Sequence, residues 1–173
     1  MDRSTLARRI VDVAQLTGTF TLRSGLTADT YFDKYQFEAE PSLLAAIADL
    51  MADRIPPDTE ILAGLELGGV PIATALSLRT GLPVVFVRKE AKAYGTAKLA
   101  EGPSIEGKRV TVVEDVITTG GQVVLSTQDL RELGAKVDAV LCVIDREQGG
   151  AENMTELGVD FLPLFTRSEL EAA

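Results

Sequence analysis

The segment Val110-Thr-Val-Val-Glu-Asp-Val-Ile-Thr-Thr-Gly-Gly-Gln122 carries the densest chemistry in the chain. β-Branched residues run into two adjacent carboxylates, Glu114 and Asp115, followed by Val116 and Ile117. A turn of small and hydroxyl residues, Thr118-Thr119-Gly120-Gly121, then leads into an expected helix from about Gln122. A buried strand that delivers acids to its C-terminal end, with a glycine turn onto a helix N-terminus, suits a phosphorylated sugar. The acids accept hydrogen bonds from sugar hydroxyls. The turn N–H groups, the threonine hydroxyls and the helix dipole hold the phosphate. The glycine spacing fits neither a dinucleotide fingerprint nor a Walker-type loop.

Three further features are expected at the same end of a parallel sheet: Glu66–Gly69, Arg88-Lys89 and Asp145-Arg146. Their convergence is a stronger signal than any one motif. The net charge is −9, yet residues 85–109 place Arg88, Lys89, Lys92, Lys98, Lys108 and Arg109 against only Glu90, Glu101 and Glu106. A basic segment on an acidic chain points to a small polyanion bound at one place. The overall charge weighs against nucleic acid and against an anionic membrane surface as partners.

The elements that must position these groups follow from apolar periodicity. Leu6, Ile10, Val13 and Thr17 fall at helical spacing. Short strands are expected at Thr19–Leu22 and Thr30–Phe37, turning at Arg23-Ser24-Gly25. Pro41 suits a first helical turn, and Leu43, Leu44, Ile47, Leu50 and Met51 form the stripe behind it. A strand is expected at Glu60–Leu65, then a helix from near Pro71 and a strand at Val84–Val87. Lys89 to Gly107 lacks a sustained period and reads as a long loop of the kind that is functional or disordered. Strands at Arg109–Glu114, Val137–Ile144 and Phe161–Phe165 and a helix at Gln122–Leu133 complete the order. This is an α/β chain with a mainly parallel central sheet flanked by helices and a small N-terminal hood-like segment. At 173 residues, with 46% hydrophobic and 25% charged residues, a single domain over 1–173 is expected. No apolar run reaches the length of a bilayer span, and the N-terminus lacks a secretory pattern. The one cysteine, Cys142, sits in an apolar run, so a buried thiol in a cytoplasmic protein is expected.

With these residues assembled, the chain resembles the type I phosphoribosyltransferases, and within them the orotate phosphoribosyltransferases. VVEDVITTGGQ resembles the family's signature for phosphoribosyl diphosphate. FTLRSGLTADTYFD resembles its N-terminal segment, RKEAKAYG its catalytic loop (RKxxKxHG), and DREQGG the turn whose arginine meets orotate. The resemblance implies that Glu114 and Asp115 hold the ribose hydroxyls, that Thr118, Thr119, Gly120, Gly121 and Gln122 wrap the 5-phosphate, and that Val116 and Ile117 also belong to the phosphoribosyl diphosphate site. It implies that Arg23, Arg88, Lys89, Lys92 and Tyr94, the last in the histidine position of the family loop, serve the diphosphate, with Lys92, Asp115 and Tyr94 central to catalysis. Arg146 and Thr118 would contact orotate, beside an apolar wall of Tyr31 and Phe32. Leu67-Gly68 stands where some members carry Tyr-Lys, which removes one cation.

The resemblance also implies Mg²⁺ held mainly by substrate oxygens and water, with no dedicated metal ligands in the protein. It further implies a homodimer that shares the catalytic loop. The chain departs from the family at Tyr94, which replaces a histidine, and it contains no histidine at all. A neutral phenol in place of a charged donor costs about 1 kcal/mol, roughly fivefold in rate. A purine-base phosphoribosyltransferase and a non-catalytic phosphoribosyl diphosphate sensor are the alternatives. The orotate-like loop and Arg146 argue against the first, and the lack of a basic face or reading domain argues against a sensor acting on nucleic acid.

Overall fold

Seven helices and eight strands are present in the computed structural model, which describes residues 1–21, 25, 27–89 and 99–173. Arg23, Lys92 and Tyr94 therefore lie outside the described residues. The order is α1 (Arg3–Ala14), β1 (Gln15–Thr21), β2 (Thr27–Phe32), α2 (Lys34–Ala39), α3 (Pro41–Ala52), β3 (Ile61–Leu65) and α4 (Gly69–Thr80). It continues with β4 (Val84–Val87), β5 (Ala100–Glu101), β6 (Arg109–Ile117), α5 (Gly121–Glu132), β7 (Lys136–Asp145), α6 (Gly150–Leu157), β8 (Asp160–Thr166) and α7 (Arg167–Glu171).

The central sheet runs β5-β4-β3-β6-β7-β8. Every pairing is parallel except β4 with β5. The α/β fold with a mainly parallel sheet is thus the one expected. A separate antiparallel pair, β1 with β2, forms the small N-terminal segment. β3 is buried at every position and β7 at eight of ten, as strands covered on both faces must be. One apolar core gathers Leu6, Ile10, Leu43, Ile47, Ile72 and Phe165; the other gathers Ile61, Val85, Val112, Leu130, Val140 and Met154. Cys142 is a buried free thiol in the second core, its ionisation pushed well up by burial.

Several boundaries differ from the sequence reading, each for a local reason. Thr17 belongs to β1, because α1 ends at Ala14. The expected strand Thr30–Phe37 stops at Phe32. Asp33 Oδ1 accepts from Tyr35 N at 3.1 Å and so caps α2, which buries Phe37 and Glu38. β6 extends past Glu114 to Ile117, so both acids lie within the strand ladder, with Glu114 opposite Cys142 and Ile117 opposite Asp145. The expected loop 89–107 contains β5, and Arg88 N donates to Leu99 O at 2.9 Å.

Candidate active site

The C-terminal ends of β3, β4, β6 and β7 gather the expected groups on one rim of the sheet. On β6, Asp115 Oδ1 accepts from Val116 N at 2.6 Å, and Glu114 Oε1 accepts from Asp115 N at 3.0 Å. Asp115 shares the strand face of Val113, turned toward α2 and the start of α4. Its side chain is 0% exposed and its Oδ2 pairs with Lys34 Nζ at 2.6 Å. Glu38, one helical turn after Lys34, is also buried.

Glu114, Asp115, Glu38 and Lys34 act as one charge cluster. Burial raises Glu38 to about 9, with the adjacent Asp115 adding to the shift. Burial and Asp115 likewise push Glu114 well above the carboxylate range. Burial would raise Asp115 too, but hydrogen bonds from Glu114, Glu38 and Lys34 outweigh it and leave its carboxyl below the usual range. Lys34 is raised, because pairing with Asp115 overcomes its partial burial. At neutral pH, Asp115 is therefore the ionised acid and Lys34 its counter-charge, while Glu38 keeps its proton.

Beyond β6, Thr118 and Thr119 are exposed and Gly120 turns the chain with φ 77°. α5 then starts at Gly121 with no side-chain cap, which leaves its first N–H groups for a ligand. The turn is held from behind by α6, an element the sequence reading did not contain. Asn153 Nδ2 donates to Thr119 O at 2.7 Å. Gly150 passes so close that an added Cβ would sit 2.8 Å from Ile117 Cγ2 and 2.9 Å from Thr118 O.

The loop between β3 and α4 approaches β6 as closely. A Cβ on Gly68 would overlap the Asp115 carboxylate, and one on Gly69 would overlap the Val113 carbonyl oxygen. The Glu66–Leu67 peptide is cis, and Glu66 Oε1 accepts from Lys89 N at 2.6 Å. Arg88 is half-buried, its Nε 3.8 Å from Glu101 Oε1, and Lys89 is exposed beside it.

A cavity of about 270 Å³ opens next to this rim, between the N-terminal segment and the sheet. Its wall includes Val11, Tyr31, Phe32, Ile144, Arg146 and Arg167. Arg146 follows β7, where its N donates to Ile117 O at 2.8 Å, and its guanidinium carbon lies 6.0 Å from the Phe32 ring centre. Arg146 Nε is buried with no hydrogen-bond partner among the described residues. A planar cation against an aromatic wall, with a donor still open, fits a flat acidic ligand. The structure brings Tyr31, Phe32 and Arg146 together on one cavity wall. Thr118 is not part of the cavity wall.

The sequence reading missed Lys34, Glu38, Asn153 and Arg167. For the first two, the available signal was Asp33 as a helix cap followed by Lys34 and Glu38 at i,i+4.

Residues 34–159 match the model of the phosphoribosyl transferase domain. An orotate phosphoribosyltransferase of Nocardioides sp. is 55% identical over 170 residues, covering 98% of this chain and 95% of that protein. The chain belongs to the orotate phosphoribosyltransferase family. The match to a second orotate phosphoribosyltransferase, from Halobacterium salinarum, is 48% identical and covers 95% and 93% of the two chains. The Mycobacterium tuberculosis orotate phosphoribosyltransferase, solved in complex with 5-phospho-α-D-ribosyl 1-diphosphate, superposes with a TM-score of 0.85. It shares 30% identity and the match covers 99% of each chain. Membership of the orotate phosphoribosyltransferase family agrees with the strand, turn and helix rim described above. No helix among the described residues is long and apolar enough to cross a membrane.

Proposed function

We propose that this protein transfers the 5-phosphoribosyl group from phosphoribosyl diphosphate to orotate, giving orotidine 5′-monophosphate and diphosphate in pyrimidine synthesis. The observation that carries this reading is Arg146, held against Phe32 in a cavity that adjoins the Glu114–Gln122 rim. Arg146 pairs with the orotate carboxylate, while Tyr31 and Phe32 cover the ring and Thr118 approaches it from the turn. Asp115 and Glu114 receive the ribose hydroxyls. Val116 to Gln122, with the open N–H groups at the start of α5, enclose the 5-phosphate.

A ring nitrogen of orotate bonds to the ribose C1 and gives up its proton to solvent as the C1–oxygen bond to diphosphate breaks, and the electron pair leaves with diphosphate. Arg23, Arg88, Lys89 and Lys92 stabilise that anion, and no covalent enzyme intermediate is required. The donor set fits Mg²⁺ carried by the substrate. Asp115 is already engaged by Lys34 and a backbone N–H, and Glu114 by another N–H, so diphosphate oxygens and water would supply most of the ion's ligands. When bound, the ion neutralises charge on the leaving group.

The whole chain acts as one domain, in the cytoplasm, as a homodimer whose subunits share the loop containing Lys92 and Tyr94. Its ligands are small molecules, with no role for nucleic acid or membrane.

Incubation with orotate, phosphoribosyl diphosphate and Mg²⁺ should consume orotate absorbance and yield orotidine monophosphate. Consumption of a purine base with orotate ignored would overturn the assignment. So would calorimetric binding of phosphoribosyl diphosphate without product, which marks a sensor. Tyr94→His should raise kcat about fivefold and Tyr94→Phe should lower it, since only the first adds a charged donor to diphosphate. Unchanged kinetics in both would remove Tyr94 from the diphosphate contact.

A further inference from the structure

The pairing of a buried acid with residues outside the signature segment has a consequence for binding. Asp115 is wholly buried, and an ionised carboxylate in that position needs compensation. Beside the Val116 N–H on Oδ1, two side chains supply it, both from α2. Lys34 Nζ reaches Oδ2 at 2.6 Å while its side chain stays 34% exposed, so it approaches from the solvent side of the rim. Glu38, 6% exposed, meets Asp115 from within the core. Its Oε1 has no donor if both acids are ionised. A proton retained on Glu38 makes it a donor to Asp115 instead. Gly68 of the β3–α4 loop packs against the carboxylate so closely that even a Cβ there would overlap it. Asp115 is thereby locked between α2 and the β3–α4 loop.

We infer that Lys34 and Glu38 are positioning residues for phosphoribosyl diphosphate, holding Asp115 ionised and aimed at the ribose. This rests on the reading that Asp115 receives the ribose hydroxyls. The two act in opposite pH ranges. Lys34 keeps Asp115 deprotonated on the acid side, and the Glu38 proton keeps a donor on Asp115 until it is lost on the alkaline side. The titratable groups facing Glu38 are Asp115 and Glu114 from β6 and Lys34 from its own helix.

The test is the calorimetric affinity for phosphoribosyl diphosphate with Mg²⁺ from pH 6 to 9.5, for wild type, Lys34→Met, Lys34→Arg, Glu38→Gln and Asp115→Asn. Lys34→Met should bind about 10- to 100-fold more weakly at pH 6.5. Its deficit should shrink as pH rises, because burial now lifts Asp115 and only higher pH ionises it. Lys34→Arg should restore most of the affinity. Wild type should lose affinity on the alkaline side as Glu38 ionises near pH 9, and Glu38→Gln, whose amide donates at every pH, should remove that fall. Asp115→Asn with wild-type affinity would overturn the ribose reading itself. Weak binding by Asp115→Asn combined with wild-type affinity in Lys34→Met would overturn this inference alone. A Lys34→Met deficit that is constant with pH and not rescued by arginine would reduce Lys34 to a structural contact. Should Lys34→Met fail to fold, the arginine variant and the alkaline limb of Glu38→Gln decide: weak binding by the first with an unchanged limb in the second overturns the inference.

Discussion

Arg146→Ala should lower kcat/KM for orotate by about 100-fold or more while leaving the affinity for phosphoribosyl diphosphate within about threefold. A charged, two-pronged hydrogen bond to a carboxylate is worth roughly twice a neutral one, and its loss leaves the carboxylate unpaired in a partly closed cavity. Arg146 is suited to this role because its backbone is fixed to Ile117 O and its guanidinium rests near Phe32. The fork therefore loses little freedom on binding. Arg146→Lys keeps the charge without the planar fork and should fall between the two, about 10-fold below wild type. Steady-state kinetics in both substrates checks this. An unchanged KM for orotate in Arg146→Ala would move the acceptor out of the 270 Å³ cavity.

Gly69→Ala should be the most damaging single methyl in the chain, costing about 3 kcal/mol or more of stability. Its Cβ would overlap the Val113 carbonyl oxygen, with the Glu114 Cα also 3.3 Å away. Both are backbone atoms of the central strand β6, so no rotamer change can relieve the contact. A loss of that size lowers Tm by about 6–12 °C in a chain this long. Gly121→Ala provides the contrast: the nearest atom to its Cβ is Thr119 Oγ1 at 3.9 Å, and its φ is not positive. At the first position of α5 an alanine should leave Tm unchanged or raise it. Thermal melts of the two variants decide the matter; equal melting points would mean that the β3–α4 loop moves away from β6 at little cost.

The strands of the central sheet were readable because burial on both faces makes them continuous apolar runs, as in Ile61–Leu65 and Val84–Val87. The short helices were not. Tyr31, Asp33, Tyr35 and Phe37 alternate as a strand would, and only the Asp33 cap separates β2 from α2. α7 carried a readable signal, Thr166 with Glu169 three residues on, and both halves of that capping box form. α6 lies between two left-handed glycines, Gly149 and Gly158, in a polar stretch where Met154 is the one large apolar residue fully buried.

The same contrast holds at the site. Arg146, Tyr31 and Phe32 were legible because each sits in a motif of recognisable order. The partners of Asp115 were not, because Lys34 and Glu38 reach it only through the packing of α2 beside β6. The i,i+4 spacing of Lys34 and Glu38 marks one face of a helix, but nothing local says which acid that face meets.

The amide of Asn153 gives the phosphate turn a direction. A trans peptide points its C=O and N–H to opposite sides. Gripping the Thr119 oxygen from the α6 side therefore turns the Gly120 N–H away from α6. That dipole is oriented before any anion arrives, so the turn need not reorganise when the phosphate lands, and the work of aiming it is done by folding.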